Sequence, residues 1–274
     1  MVAAMAGFAV EDMFLKSAAA TVPIGQVMIW FGLGGSLIFA VWAVAQGQSL
    51  FPRAVIERTM MVRNAFEIFG RLFFTLAIVL TPLSSATAIL QATPIVVVAG
   101  AALFFGETVG WRRWTAILVG LGGVLVILQP GAESFTTLSI LAVLGMLGFA
   151  GRDLATRAAP KTMSGPVLGV WGFWMILIAG VGFSIWEGAA FVMPGAAFLP
   201  LVGACMFGVA GYSSLTQAMR TGDVSAVTPF RYSRLLFGVG FGVLIFGETL
   251  EPNMIIGSLI IVAAGLYILA RGRS

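Results

Sequence analysis

The string Phe105-Gly106-Glu107-Thr108 recurs 141 residues later as Phe246-Gly247-Glu248-Thr249. The same ungapped register pairs further charged, aromatic and small residues: Gly7 with Gly148, Asp12 with Asp153, Lys16 with Arg157, Trp30 with Trp171 and Ser84 with Ser225. Apolar helices often match by chance, but matched charges and tryptophans in one register do not. The sequence therefore predicts two repeats of one ancestral unit.

The composition is typical of a membrane protein. Of the 274 residues, 59% are hydrophobic and 9% are charged, whereas a soluble domain carries about 25% charged residues. A spanning helix needs about 20 apolar residues. Ten apolar segments fit this length, at about 2–20, 24–45, 61–79, 84–105, 111–129, 137–157, 165–187, 196–219, 224–246 and 252–270. The first begins almost at Met1 and is interrupted by charged residues, so we interpret it as a retained helix and not as a signal peptide.

Five spans fall in each repeat, in residues 1–130 and in residues 137–274. Because five is odd, the second copy must enter the membrane in the opposite orientation. The predicted fold is an all-α membrane protein of ten transmembrane helices, built as two inverted five-helix repeats. Such repeats are a hallmark of secondary transporters, which bind their substrate near the midplane between the halves.

The distribution of basic residues predicts the orientation. If the N-terminus is cytoplasmic, inner connectors and helix ends hold ten basic residues: Arg53, Arg58, Arg63, Arg112, Arg113, Arg157, Lys161, Arg220, Arg271 and Arg273. The outer connectors contain no lysine or arginine, and their charged residues are the acids Glu133, Glu187, Glu248 and Glu251. Positive charge favours the cytoplasmic side, so we expect both termini to be cytoplasmic, in an inner membrane of bacterial type.

Gly-Glu-Thr follows spans four and nine, the stretch 81–86 (TPLSSA) enters span four, and Gly265-Leu266-Tyr267 precedes a basic tail. The order of these motifs resembles the drug/metabolite transporter superfamily, in its EamA branch. The resemblance covers essentially the whole chain. It implies a basket of ten helices around a central cavity, with spans five and ten more peripheral. It also implies transport of small metabolites such as amino acids or their derivatives.

Several other functions are disfavoured by what the sequence lacks. It contains no histidine and a single cysteine, Cys205, which removes Ser-His-Asp catalysis and histidine-based metal sites. We therefore expect no enzyme activity, no cofactor and no metal, although an intramembrane enzyme and a channel stay as alternatives. The expected partners are a small-molecule substrate, membrane lipids and a coupling proton or ion. No nucleic acid is expected, and the sequence leaves monomer and homodimer open.

Charged residues inside the spans are the first candidates for the substrate site, because each costs at least about 2.5–3.5 kcal/mol at the bilayer centre. Arg63, Glu67 and Arg71 follow each other at i, i+4 and i+8, which places them on one face of span three. They form either an ion-pair ladder or a cavity wall in which Glu67 carries a coupling proton. The spacing also predicts the pairs Asp12 with Lys16 and Asp153 with Arg157, and Glu11 with Arg152 is a candidate pair across the bundle.

Span nine carries Arg231 and Arg234 without an acid within one turn. Arginine presents a planar fork that suits a carboxylate, so this pair with Tyr232 is predicted to bind an anionic group. The alternative is an interhelical bridge to Glu11 or Asp153. The complete predicted substrate-binding set is Glu11, Asp12, Lys16, Glu67, Arg71, Gln91, Arg152, Asp153, Tyr212, Arg231, Tyr232 and Arg234.

Overall fold

The computed structural model describes residues 1–106, 110–129, 137–158, 163–221 and 228–271. Within these ranges the chain is helical. The α-helices are α1 (Val2–Ala18), α2 (Ile24–Ala45), α3 (Arg58–Leu80), α4 (Leu83–Leu90), α5 (Thr93–Phe105), α6 (Trp111–Leu128), α7 (Ile140–Ala158), α8 (Gly165–Glu187), α9 (Phe198–Thr221), α10 (Ser233–Phe246) and α11 (Pro252–Arg271). Short 3₁₀ turns occur at Arg53–Ile56, Thr137–Ser139, Gly195–Ala197 and Thr228–Tyr232.

Several helical segments are long and apolar enough to cross a membrane. Among the described residues, five satisfy both criteria: Ile24–Ala45, Leu83–Phe105, Thr137–Thr156, Gly165–Glu187 and Gly195–Ala218. Two shorter apolar helices, Trp114–Leu128 and Pro252–Ile268, accompany them. Helices α1 and α3 contain buried charged residues, which lower their mean hydropathy. Both helices are nevertheless packed inside the bundle.

Two predicted spans are interrupted. Span four divides into α4 and α5 at Gln91 and Ala92, because Pro94 lies in the first turn of α5, a position where proline is tolerated. Span nine begins as the 3₁₀ turn Thr228–Tyr232 and continues as α10 from Ser233. Pro94 and Pro229 do not occupy matching repeat positions, yet the two breaks lie 141 residues apart, at 91–92 and 232–233.

Helices of the first half pack mainly on helices of the second. The principal pairs are α1 with α9, α2 with α8, α3 with α7, α4 with α10 and α6 with α11. One buried apolar cluster includes residues from both halves, among them Leu15, Phe74, Phe173 and Ile261.

Glycines allow the closest approaches in this packing. A β carbon at Gly148 of α7 would lie 2.3 Å from the Cα of Gly70 in α3, and one at Gly7 of α1 would lie 3.0 Å from the Cα of Gly211 in α9. The backbones therefore touch directly at both crossings. The residues of the two crossings are 141 positions apart in the sequence, since Gly7 matches Gly148 and Gly70 matches Gly211 at this offset.

Candidate functional site

Charged side chains from α1, α3, α7 and the start of α10 meet inside the bundle. Glu11 is 0% exposed, Asp12 is 1% exposed and Glu67 is 2% exposed. An isolated ion at such depth is costly, and it is tolerated only with a partner of opposite charge. The described acids of this region all have arginine partners.

Two of the ion pairs connect α1 to other helices. Arg71 of α3 donates from Nη1 to Oε1 of Glu11 over 2.6 Å. Arg234 of α10 donates from Nη2 to Oδ2 of Asp12 over 2.5 Å. Each pair balances one acid with one base, so this part of the network is neutral.

The other charges form a chain that we call the arginine ladder: Arg63, Glu67, Arg152, Asp153 and Arg231. Arg63 contacts Oε2 of Glu67 at 3.3 Å, and Arg152 contacts Oε1 of the same carboxylate at 3.2 Å. Asp153 then accepts from Arg152 at 2.9 Å through Oδ1 and from Arg231 at 3.2 Å through Oδ2. Three arginines against two acids give the ladder a net charge of +1 (3 − 2).

The structure corrects two predicted pairings. Asp12 pairs with Arg234 and not with Lys16, because the side chain of Lys16 extends to the end of α3. Glu11 pairs with Arg71, while Arg152 reaches Glu67, so the predicted pair of Glu11 with Arg152 is wrong. The predicted partner of Asp153, Arg157, has a side chain outside the described residues.

Span three itself is only partly as predicted. The pair of Arg63 with Glu67 is confirmed at 3.3 Å. Arg71 pairs with Glu11 of α1 and not with Glu67 of its own helix. An acid on a neighbouring helix can lie as close to an arginine as an acid one turn away on the same helix. Arg63 is buried inside the bundle and does not lie at an exposed inner helix end.

Neighbouring residues on α7 also differ from expectation. Adjacent side chains usually diverge on a helix, yet Arg152 donates to Oδ1 of Asp153 from Nε at 3.1 Å and from Nη2 at 2.9 Å. The long arginine side chain can fold back along the helix, which a shorter base could not do.

The arginines of span nine both have acidic partners. The alternative of an interhelical bridge from Arg231 to Asp153 is confirmed, and Arg234 bridges to Asp12, which sequence reasoning did not find. Asp12 and Asp153 occupy matching repeat positions. The two arginines, three residues apart, are therefore held by equivalent aspartates from the two halves.

The remaining predicted residues surround this network. The Tyr212 hydroxyl accepts from Nη2 of Arg63 over 3.3 Å. Gln91 donates from Nε2 to the main-chain oxygen of Arg231 over 3.2 Å, which connects the break in span four to the break in span nine. The Tyr232 hydroxyl packs against Gly265 of α11, so its ring lies on the α11 side of the break.

Solvent accessibility rises along the network from one end to the other. The side chains of Glu11 and Asp12 are 0% and 1% exposed, whereas those of Asp153 and Arg231 are both 21% exposed. The end of the network at Glu11 and Asp12 is therefore closed to solvent in this structure. The ladder is most accessible where Asp153 meets Arg231.

Lys16 belongs to a different contact, at the end of α1. Its Nζ donates to the main-chain oxygens of Ile78 over 2.8 Å and Thr81 over 2.6 Å, and lies 3.8 Å from Oε1 of Glu248. Glu248 was expected in an outer connector. The left-handed Gly106 and Gly247 end α5 and α10, and Glu248 caps the beginning of α4.

A separate apolar groove of about 360 Å³ lies between α5, α6 and α7. It is lined by aliphatic residues such as Val96, Leu121, Val143 and Met146. None of the residues that line it is charged, so it is not part of the ion-pair network. Among the described residues, no cluster of three or more histidine, cysteine or acidic side chains is arranged for a metal ion.

A multi-pass helical bundle with paired ions buried between its two halves has the architecture of a membrane transporter, because intramembrane charges mark substrate and ion pathways. Comparison with known families agrees with this class. The EamA-like transporter family matches residues 1–129 and again residues 136–270. The chain belongs to this family, whose characterised relatives are transporters and not enzymes.

Curated relatives carry different solutes. A riboflavin transporter of Rhizobium johnstonii is 30% identical over 69% of this chain and 62% of its own length. An S-adenosylmethionine uptake transporter of Rickettsia bellii is 26% identical over 76% of this chain and 71% of its own. The pseudopaline exporter CntI of Pseudomonas aeruginosa is 25% identical over 94% of this chain and 90% of its own. The chain thus spans less than two thirds of the riboflavin transporter that it matches.

A solved crystal structure shares the fold. It aligns with a TM-score of 0.66 over 99% of both chains, at 18% sequence identity. This similarity concerns the fold alone.

Proposed function

We propose that this protein is a secondary transporter that moves a small anionic or zwitterionic metabolite across the inner membrane by alternating access. An amino-acid-like solute and an organic anion both fit this description. The observation that carries the proposal is the net charge of +1 on the buried ladder of Arg63, Arg152 and Arg231 with Glu67 and Asp153. An excess positive charge in a poorly solvated interior is stabilised when an anion binds.

The position of the substrate group follows from accessibility and charge. Arg234 is balanced by Asp12 and is 12% exposed, whereas Arg231 shares Asp153 with Arg152 and is 21% exposed. A carboxylate that enters beside Arg231 can take the place of Asp153 as its partner. The two arginines therefore have different functions: Arg231 binds the substrate, and Arg234 holds α10 to α1.

Alternating access is supported by the relation between the halves. The crossings of Gly7 with Gly211 and of Gly70 with Gly148 correspond to each other at the 141-residue offset of the repeat. Repeats that pack through equivalent crossings can exchange conformations, which would open the site to one side and then to the other. The relatives include both uptake transporters and an exporter, so the family name does not give the direction.

The test uses Arg231→Gln with Arg234→Gln as its matched comparator. Purified protein is heated with pairs of organic acids and their neutral carboxamides, and with riboflavin and S-adenosylmethionine. Flux of each stabilising compound is then measured in proteoliposomes. We expect wild-type protein to prefer acids over amides, and Arg231→Gln to lose that preference while its stability without solute changes little.

Arg234→Gln should instead lower the unfolding temperature without solute, and any protein that stays folded should keep the preference for acids. If Arg231→Gln retains the wild-type preference and affinity, its role in substrate binding is refuted. Currents at fixed voltage without saturable solute exchange would identify a channel, and chemical conversion of the solute would identify an intramembrane enzyme.

A further inference from the structure

The loop after α10 turns back into the bundle. Helix α10 ends at Phe246, and Gly247 adopts a left-handed φ of 64°, which glycine reaches without steric cost. The main-chain N–H of Glu248 then donates to the carbonyl oxygen of Gly242 over 2.9 Å. This turn directs the Glu248 side chain over the last turns of α10 and toward α4.

The Glu248 carboxylate binds the beginning of α4. Its Oε1 accepts from the N–H of Leu83 over 2.6 Å, and its Oε2 accepts from the N–H of Ser84 over 3.0 Å and from the Ser84 hydroxyl over 2.6 Å. The first N–H groups of a helix have no partner within the helix and carry partial positive charge. A carboxylate from the second half of the chain thus caps a helix of the first half.

Lys16 connects this contact to two more helices. It donates to two carbonyl oxygens at the end of α3, that of Ile78 in the last turn and that of Thr81 just after the helix, where the helix end carries partial negative charge. It also lies 3.8 Å from Glu248. One lysine and one glutamate therefore join α1, α3, α4 and α10 at the same end of the bundle.

The packing leaves space for the carboxylate. A β carbon at Gly242 would lie 2.4 Å from Oε2 of Glu248. Any larger residue at position 242 would displace the carboxylate from Ser84. Gly242 of α10, the left-handed turn at Gly247 and the acid Glu248 in the loop after it all serve this single contact.

We propose that these residues, Lys16, Leu83, Ser84 and Glu248, form a latch that closes this end of the transport pathway. Asp12 lies one helical turn before Lys16 on α1 and is paired with Arg234 of α10. Separation of α10 from α4 and α1 would therefore open a path that leads directly to this buried pair. The latch must break each time the pathway opens here, and this last step rests on the transport function proposed above.

The latch can be tested with Thr87→Cys as a reporter, in a Cys205→Ser background. Thr87 is fully buried one turn after Ser84, and a β carbon at Gly238 of α10 would lie 2.5 Å from its methyl group. It therefore lies in the interface that the latch closes. The rate of reaction with N-ethylmaleimide is measured on purified protein without any solute.

We expect Glu248→Gln to raise this rate about tenfold, which corresponds to about 1.4 kcal/mol. Gly242→Ala should raise it as well, because it displaces the carboxylate but retains its charge. The matched control is Glu251→Gln, which removes an exposed acid three residues later in the same loop and should leave the rate unchanged.

The native Cys205 reports on general loosening, because it is buried in α9, which contributes no residue to the latch. Its labelling, measured in chains without Thr87→Cys, should stay slow in every variant. The latch is refuted if folded Glu248→Gln and Gly242→Ala both keep the parental rate, if Glu251→Gln has the same effect, or if Cys205 becomes reactive to the same degree. Since no solute is used, this result is independent of whether the proposed substrate is correct.

Discussion

Replacement of Glu67 by glutamine should destabilise the protein strongly, because Glu67 is the centre of the arginine ladder. Its two oxygens contact Arg63 at 3.3 Å and Arg152 at 3.2 Å, in a site that is 2% exposed. With the carboxylate removed, the ladder charge rises from +1 to +2 (three arginines against one acid). Loss of one partner of a buried ion pair costs about 3–5 kcal/mol, and since glutamine keeps one acceptor we expect about 3 kcal/mol.

The free energy of unfolding can be measured by titration with SDS in mixed micelles. The control is Glu57→Gln, an exposed acid just before α3, which should change stability by less than about 0.5 kcal/mol. The double variant Glu67→Gln/Arg152→Gln returns the ladder to +1 and should recover at least about 1 kcal/mol of the sum of the two single losses. Full additivity, or a Glu67→Gln protein as stable as the parent, would contradict the ladder.

The same variant tests the second hypothesis for Glu67. If Glu67 carries a coupling proton, the glutamine variant should lose the pH dependence of flux, provided that it still folds and transports. A normal flux with an unchanged pH profile would leave only the ion-pair function. The two measurements are separate, because the stability change needs no transport and the pH profile is compared within folded protein.

Two further predictions concern topology and packing. A cysteine introduced at position 48 of a cysteine-free protein should not react with an impermeant thiol reagent added outside whole cells. The reason is that the 46–62 connector and both termini are predicted to be cytoplasmic. Labelling from outside would show that the predicted orientation is wrong. Gly148→Ala should lower the unfolding midpoint, since its β carbon would lie 2.3 Å from the backbone of Gly70. The control Gly182→Ala has open space around its β carbon and should be neutral or slightly stabilising. Equal effects of the two changes would contradict the close crossing.

Hydrophobic length was sufficient to predict most helices. The predicted spans 24–45 and 165–187 coincide with α2 and α8, and most other boundaries lie within a few residues. The sequence does not predict the break in span four, because a proline within a span can either bend the helix or begin a new one. Pro94 does the latter, so two short helices replace one long span.

The site residues were easier to predict than their contacts. A charge within an apolar span is visible in the sequence, but spacing along a helix only shows which partners share that helix. Arg71 and Arg234 each bind an acid of α1 that is far away in the chain. The Glu248 contact was missed because the Gly-Glu-Thr motif explains a helix end by itself, and nothing local indicates that its acid caps α4.

Helix α1 packs on α9, α2 on α8, α3 on α7 and α6 on α11, so the buried apolar clusters of the described residues combine side chains from both halves. Each half behaves as one subunit of an obligate dimer whose two subunits happen to be covalently joined. During synthesis the first five spans precede the helices of the second half, so Asp12 lacks Arg234 of α10 and Glu67 lacks Arg152 of α7 until those helices arrive, whereas Glu11 and Arg71 lie in the same half. We therefore expect much of the stability of the bundle to be gained late in synthesis, when the helices of the second half pack on those of the first.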